Sequence, residues 1–571
     1  MAHSAGSAEQ SQKRRRQLAR VTSIDSCADP EVSVEHCAPG VRNAEDLAHW
    51  PLDVVRSVCR PEDDELTLRL MHRLRCGIQL SSDYSGLDAP RECLEMGVQA
   101  LQHELQIEGG LLDAVLVTRT CDKAALPTRV QVEMSRFWEQ GRRCHFQDIL
   151  DRLPEQGREY INAAKPEKSA RKQARMDAYA AITDWVMKNR SWLFSVDAES
   201  YCAVHERQCK VHKTLAVPDG RQSSGNQSLR INVAGVTCHA WSTEGSLEGN
   251  AHESEVPLSV WLAERVFMFE NDMEDACFLE CTPRFPAQRR LEDAFGDVAF
   301  VFSWVDAAEW HGWPNRRKRI LACAVNKRTA VWHGDGSVLE LQKDYSKRFY
   351  RQMAATGELL FQATTEDRLQ EMVGLAVARK NNVSLAEMQQ HLAARDAPKV
   401  FSLLLPPGGI VRMKDWMQLF QDKKRECPEL RAFLCDVDHI VGGKGPCGGE
   451  LWPTQLTHGH VMAFSLGETE EQGVSFVLAT AQEHLLALGW RTFGVSSIIP
   501  KSKLCAVIDN LKLSSSHIKQ LAGNSMNLRT QLAFMLYAIA NVSRKKLEDP
   551  RMSRMSSWCE FDEAEVEDSQ S

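Results

Sequence analysis

No run of about 18 apolar residues, the length a membrane-crossing helix needs, occurs in this 571-residue chain. No membrane association is expected. The opening residues MAHSAGSAEQSQKRRRQLAR hold no apolar stretch of the kind a secretory signal requires. Without secretion the 18 cysteines should stay reduced, which argues against a disulfide framework. An excess of positive charge is also missing. The net charge of −8 excludes a protein that is basic all over, but not one with a local basic cleft for nucleic acid. Internal repeats are absent, and so is a phosphate loop. In Gly442-Gly-Lys-Gly-Pro-Cys-Gly-Gly449 the residue five before Gly443 is Asp438, and no Ser or Thr follows Lys444.

What is present is enough apolar material, 43% of residues, for a full core. The length implies two or more domains. Residues 1–45 lack periodicity and read as a disordered basic tail. Its Lys13-Arg14-Arg15-Arg16 is a solvated charge run on the plainest reading; as an import signal it would direct the protein to the nucleus. Residues 546–571 read as a disordered acidic tail. Between the tails, short apolar runs alternate with helical patterns. Strands are expected at Gly77–Leu80, Ala114–Val117, Leu229–Val233, Val266–Phe269, Val298–Val305 and Ile320–Val325. A helix should start at Ala89, with Asp88 as its N-cap and Pro90 in its first turn. Such alternation predicts an α/β fold with a parallel, doubly wound sheet, whose ligands lie at the carboxyl ends of the strands. The charged stretch from Glu155 to Arg190 reads as a solvated surface helix.

The stretch VAGVTCHAWSTEG, residues 233–245, places one thiol, Cys238, just after a strand. Taken alone, Cys238 is a small buried hydrophobe. It does not stand alone. In order along the chain come Tyr84-Ser-Gly-Leu-Asp88, Thr237-Cys238, Glu270-Asn-Asp272, Asn315-Arg-Arg-Lys-Arg319 and Gly523-Asn-Ser525. This order resembles the FxGxG, PC, ENV, QxRxR and GNS motifs of the cytosine-5 DNA methyltransferases. Gln147-Asp-Ile149 is similar to the family's GDI, and Thr480–Trp490 to its TPREaaxLxGF segment.

The resemblance implies a Rossmann-like methyltransferase sheet with helices on both faces, plus a smaller target-recognition domain. The catalytic domain would span 46–330 with an insertion at 155–225. Target recognition would occupy 331–500, with Trp452-Pro-Thr-Gln-Leu-Thr-His458 as a candidate DNA-facing loop. Residues 501–545 would return to the catalytic domain. The implied reaction moves a methyl group from S-adenosylmethionine to carbon 5 of a cytosine flipped out of double-stranded DNA. Cys238 would add to carbon 6 as a thiolate, making carbon 5 nucleophilic. Glu270 would bind the ring edge, and Arg317 and Arg319 the base carbonyl and nearby phosphates. Tyr84, Ser85, Gly86, Leu87, Asp122, Asp148, Ile149, Asn524 and Ser525 would line the cofactor site.

The pattern departs from the family at several positions: Thr237 replaces the proline before the cysteine, and Asp272 the valine of ENV. Asp88 replaces the second glycine of FxGxG, and Asn315 the glutamine of QxRxR. Thr120 stands where a ribose-binding acid is expected, with Asp122 two residues on. Two other readings stay open, an RNA (tRNA) cytosine-5 methyltransferase and a catalytically silent nucleic-acid-binding relative. Within the insertion, Cys202, His205, Cys209 and His212 resemble a zinc-binding cluster of unusual spacing.

Overall fold

The computed structural model describes residues 37–545, apart from 61–63, 108–113, 139–141, 214–227, 243–244, 395, 444–447, 467–473, 495 and 497. Lys13–Arg16, the acidic tail and the centre of the 442–449 glycine-rich loop lie outside the described residues.

The strands are β1 Ile78–Asp83, β2 Val115–Cys121, β3 Cys144–Phe146, β4 Glu199–Cys202, β5 Arg207–Lys210, β6 Leu229–Gly235 and β7 Ala276–Cys281. They continue with β8 Ala299–Ala307, β9 Lys318–Asn326, β10 Ala330–Trp332, β11 Phe433–Asp436, β12 Val461–Leu466, β13 Val474–Leu478 and β14 Val542–Arg544. Seven of them form one sheet in the order β3-β2-β1-β6-β7-β9-β8. The fold is thus the expected α/β, Rossmann-like sheet with helices on both faces. It is not wholly parallel. β9 runs antiparallel to both β7 and β8, while the other pairings are parallel. The strand order reverses at β1: β2 and β3 follow on one side, and the chain then returns to place β6 and β7 on the other, so a crevice opens at the carboxyl ends of β1 and β6.

The sheet is buried on both sides because its side chains alternate between two cores. Phe278 and Cys323 join the helices Trp50–Val58, Ala89–Glu104 and Leu528–Asn541. Cys277, Leu279 and Ala322 join the helix Glu255–Glu270 on the opposite face. That helix corrects one expectation: Val266–Phe269 is helical, and the strand that follows β6 in the sheet is Ala276–Cys281. The charged stretch divides into the helices Glu155–Ala164 and Lys172–Lys188, with a short turn Arg190–Leu193.

A third core lies within the region expected to recognise the target. There β11, β12 and β13 form an antiparallel sheet, packed with the helices Thr365–Ala378, Ala397–Leu404 and Pro407–Glu426 through Leu369, Phe401, Trp416 and Phe464. Among the described residues, no helix is long and apolar enough to cross a membrane.

Candidate active site

β1 ends on Asp83, which is wholly buried. Burial alone would raise its carboxyl, but Arg119, Arg152 and Arg265 outweigh that and hold it at about 2. Asn232 donates to its other oxygen at 2.9 Å. From this anchor the chain turns sharply. Tyr84, Gly86 and Asp88 have φ of 52°, 51° and 60°. Left-handed backbone at two non-glycine residues in one turn is unusual and persists only where its surroundings fix it.

Those surroundings come from β2. Ser85 Oγ accepts from the Cys121 backbone N–H at 2.9 Å. Asp122 accepts from Gly86 N at 2.8 Å and from Ala124 N at 2.9 Å. Leu87 and Ile149 are buried. Asp88 occupies the N-cap position of the helix Ala89–Glu104, but its side chain makes no capping bond. It accepts instead from Arg143 at 2.7 Å and Ser82 at 3.0 Å. Thr120 is likewise turned inward, 2.8 Å from His145. Asp148 caps the Leu150 N–H at 3.0 Å and pairs with Lys123 at 2.7 Å.

The Gly523–Ser525 turn meets this one from the far end of the chain. A Cβ on Gly86 would lie 3.5 Å from the Asn524 carbonyl oxygen. One on Gly235, the last residue of β6, would lie 2.8 Å from Met526 Cε and 3.4 Å from the Tyr84 carbonyl. Ser525 is buried, and its hydroxyl accepts from Trp490 Nε1 at 3.2 Å. The Tyr84 hydroxyl is buried with no hydrogen-bond partner. Close backbone approach and an unused buried hydroxyl make a cradle that fits a ligand such as S-adenosylmethionine.

Beyond Gly235 the chain leaves the sheet. Cys238 is exposed, and its carbonyl closes a turn by accepting from Trp241 N and Ser242 N, each at 2.9 Å. The neighbouring strand β7 ends in Glu280 and Cys281, with Gly235 registered against Glu280. Because β9 is antiparallel, its first residues reach this same edge: Ile320 pairs with Cys281, and Arg319 with Asp306 of β8. Arg319 Nε stands 2.9 Å from Glu280 Oε1 as an ion pair, without the alignment of a hydrogen bond. Arg317 is buried and donates to the Ser525 carbonyl. Burial first, then Arg319, pull its pKa down to about 9, while Glu280 and Cys238 act in the opposite sense. Its Nε and Nη1 have no partner. Cys238, Glu280, Arg317 and Arg319 therefore form one polar group at the carboxyl edge of the sheet. Asn315 is buried behind them and donates to the Ala487 carbonyl at 2.8 Å.

Glu270 is not in this group. It closes the helix Glu255–Glu270, which runs back from the carboxyl edge, so Glu270 sits near the start of β7. There Asn326, the last residue of β9, donates to the adjacent Phe269 carbonyl at 3.1 Å. Glu270 pairs with Arg190 Nε at 2.9 Å, and Asp272 with Arg328 at 3.0 Å. The acid beside Cys238 is Glu280, which the motif reading missed. Its signal was available: the apolar run Ala276-Cys-Phe-Leu279 ends in an acid and is followed by Thr282-Pro283.

Two further expectations change. Trp452 is wholly buried and packs on Phe361 and His484, so the first part of the candidate DNA-facing loop is a packed segment; only His458 of it is exposed. His212 does not join the other three candidate ligands. It is buried 3.7 Å from Glu264, and Cys144 of β3 takes its place beside Cys202, His205 and Cys209. Cys144 is too distant in sequence for spacing to reveal it.

No family model and no curated protein matches the sequence. Solved structures do match. One is the Entamoeba histolytica methyltransferase EhMeth, with TM-score 0.36, 7% identity and coverage of 81% of this chain and 98% of that one. Another is the S. pombe Dnmt2 methyltransferase, with TM-score 0.32, 9% identity and coverage of 80% and 96%. A third is a mutant of Spodoptera frugiperda DNMT2, with TM-score 0.33, 9% identity and coverage of 81% and 99%.

Proposed function

We propose that this protein is a DNA cytosine-5 methyltransferase that works through a covalent cysteine adduct. The observation that carries this reading is the exposed Cys238 thiol on a loop at the carboxyl edge of the sheet, beside Glu280, Arg317 and Arg319. A nucleophile, an acid and two guanidinium groups suit a reaction in which sulfur attacks an electron-poor ring and charge builds on that ring.

In this reading Cys238 attacks carbon 6 of a flipped cytosine. A carbon–sulfur bond forms, and the ring π pair shifts toward carbon 5. Glu280, in its protonated form, donates its proton to N3 as charge accumulates on the ring and accepts from the exocyclic amine. The positive charge of Arg317, which interacts with Cys238 and keeps two N–H groups unpartnered, would favour the thiolate before attack. S-adenosylmethionine supplies an electrophilic methyl group when bound. Tyr84, Gly86, Asp122, Asp148 and Asn524 would hold it between the β1 turn and the Gly523–Ser525 turn. A solvent water, admitted because the Cys238 loop is exposed, then takes the carbon 5 proton, the electron pair returns to the ring and Cys238 leaves as thiolate. Next to the Cys238 loop, Lys172 and Arg284 line an open pocket with Trp241, Asn250 and Glu248, whose charge Arg175 offsets, and the two cations suit the phosphates of a bound strand.

The test is trapping on duplex DNA containing 5-fluorocytosine with labelled S-adenosylmethionine. Fluorine blocks the final elimination, so a working thiolate remains attached through denaturation. The expected result is a labelled adduct on DNA that Cys238→Ala abolishes. An adduct on transfer RNA alone would move the substrate to RNA. No adduct on either, with folded protein that binds the cofactor, would overturn the catalytic reading.

A further inference from the structure

β4 and β5 form a hairpin with Cys202 opposite Arg207, so its turn comprises residues 203–206. The turn folds back on the edge of the main sheet, where the Ala203 N–H donates to the His145 carbonyl at 2.9 Å. This brings together side chains that the sequence keeps apart. Cys144 comes from β3, Cys202 from the end of β4, His205 from the turn and Cys209 from β5. One ligand atom from each lies within 4.8 Å of all the others. His205 Nδ1 is 3.2 Å from the Cys202 sulfur, 3.5 Å from that of Cys209 and 3.6 Å from that of Cys144.

Hydrogen bonding does not account for this arrangement. A ring nitrogen either carries one hydrogen or accepts one, so it cannot bond three sulfurs at once. A tetrahedral metal does account for it. With zinc–sulfur bonds of about 2.3 Å and zinc–nitrogen bonds of about 2.05 Å, the sulfur–nitrogen edges of the tetrahedron are about 3.6 Å. Two of the three observed distances match that edge, and the third is slightly short.

We propose that Cys144, Cys202, His205 and Cys209 bind one zinc ion, with His205 coordinating through Nδ1. Three thiolates and an imidazole select a soft or borderline ion and disfavour magnesium or calcium. Four protein ligands leave no open position for water, so the site is structural rather than hydrolytic. On binding, each cysteine releases its proton to solvent, the neutral imidazole releases none, and the centre carries one negative charge. The ion ties the insertion to β3, the strand that leads into Gln147-Asp148-Ile149. It stands apart from the Cys238 group and does not depend on the methyltransferase reading.

The experiment uses the full chain, purified without chelator. Zinc per chain is counted by elemental analysis, and the metal is then exchanged for cobalt(II) to read the visible spectrum. One zinc per chain is expected, with tetrahedral ligand-field bands and a thiolate-to-cobalt charge-transfer band. His212→Gln and Cys238→Ala should keep the metal. Cys144→Ser should lower zinc affinity by at least about tenfold, since removal of even an outer-shell partner costs 10–100-fold. Should Cys144→Ser fail to fold, the cobalt spectrum of the wild type still decides. A wild type that holds neither zinc nor thiolate-bound cobalt overturns the proposal. So does undiminished zinc in a folded Cys144→Ser, or a Cys144–Cys202 disulfide in the isolated protein.

Discussion

Replacing Glu280 with glutamine should cripple methyl transfer, while the same change at Glu270 should leave it almost intact. Glu280 is 9% exposed, at the end of a strand, with Arg319 Nε 2.9 Å away and Arg317 buried beside it. Glutamine keeps its shape but loses both the charge and the acidic proton that Glu280 would give to N3. If Glu280 holds the ring edge in the transition state, that loss is of the size of a general acid–base contribution, about 10²–10⁴-fold in turnover. This equals about 3–5 kcal/mol of barrier. The variant also leaves the Arg319 guanidinium without its carboxylate, so stability should fall by about 1–3 kcal/mol. Rates must therefore be compared well below the unfolding transition of both proteins. Glu270, by contrast, is about one-third exposed and, among the described residues, pairs with Arg190. Losing such a pair costs about 0–1 kcal/mol of stability and touches no reacting group. The assay is single-turnover transfer of labelled methyl to duplex DNA. A Glu280→Gln rate within about threefold of wild type, under about 0.7 kcal/mol, would refute the assignment of the acid. Selective loss in Glu270→Gln would restore the motif reading.

Asp88→Ala removes the carboxylate 2.7 Å from the Arg143 guanidinium, which is 0% exposed and keeps its bond to the Gln131 carbonyl. Breaking such a buried pair should cost about 3–5 kcal/mol in a denaturant titration, and a loss below about 1 kcal/mol would show that Arg143 finds another acceptor. Burial, then the like charge of Glu95, raise the Glu92 carboxyl from 4.5 to about 7. A pKa raised on folding adds stability below pH 4.5 and loses it as the pH climbs through about 7. Glu92→Gln removes that dependence, so it should gain up to about 3 kcal/mol over wild type at pH 8 compared with pH 4. An equal difference between the two proteins at both pH values, read from thermal melts, would contradict this.

The parts of the site that lie just after strands were legible in the sequence. Leu229–Val233 marked β6, and Thr237-Cys238 sits on the loop that follows it. Gly77–Leu80 marked β1, and Tyr84–Asp88 forms the turn beyond. The misreading came from Glu255–Glu270. This crossover helix is buried on nearly every side, so its sequence EVPLSVWLAERVFMFE shows no polar stripe. A helix that is apolar all round loses the 3.6-residue signal, and a short window of it looks like a core strand. Once Val266–Phe269 was read as a strand, Phe269-Glu-Asn-Asp272 inherited a strand-end position it does not have. β7, only six residues long, then went unrecognised. The direction of β9 and the approach of Cys144 to the hairpin are tertiary facts with no local pattern to announce them.

The same helix explains how the site is held. Glu264 is wholly buried and accepts from Arg152 and Arg265, each at 2.6 Å, with Arg119 at 3.6 Å. Arg119 and Arg152 also reach Asp83, and Arg265 reaches Glu274. Three arginines and three acids thus join the end of β1, the middle of β2, the turn after Asp148 and the crossover helix. Buried charges of this kind add little net stability, because desolvation offsets much of their attraction. Their effect is on position: a charge left unpaired is so costly that each element can stop in only one place. Asp83 fixes where β1 ends and hence where the left-handed turn at Tyr84 begins. Arg152 fixes the short helical turn that Asp148 caps. Six residues beyond Glu264, about 240° further round the helix, Glu270 faces outward to Arg190 instead. The two acids do different work. Glu264 helps set the shape of the turn after β1 from beneath, Glu270 pairs at the surface, and the acid beside Cys238 is left to β7.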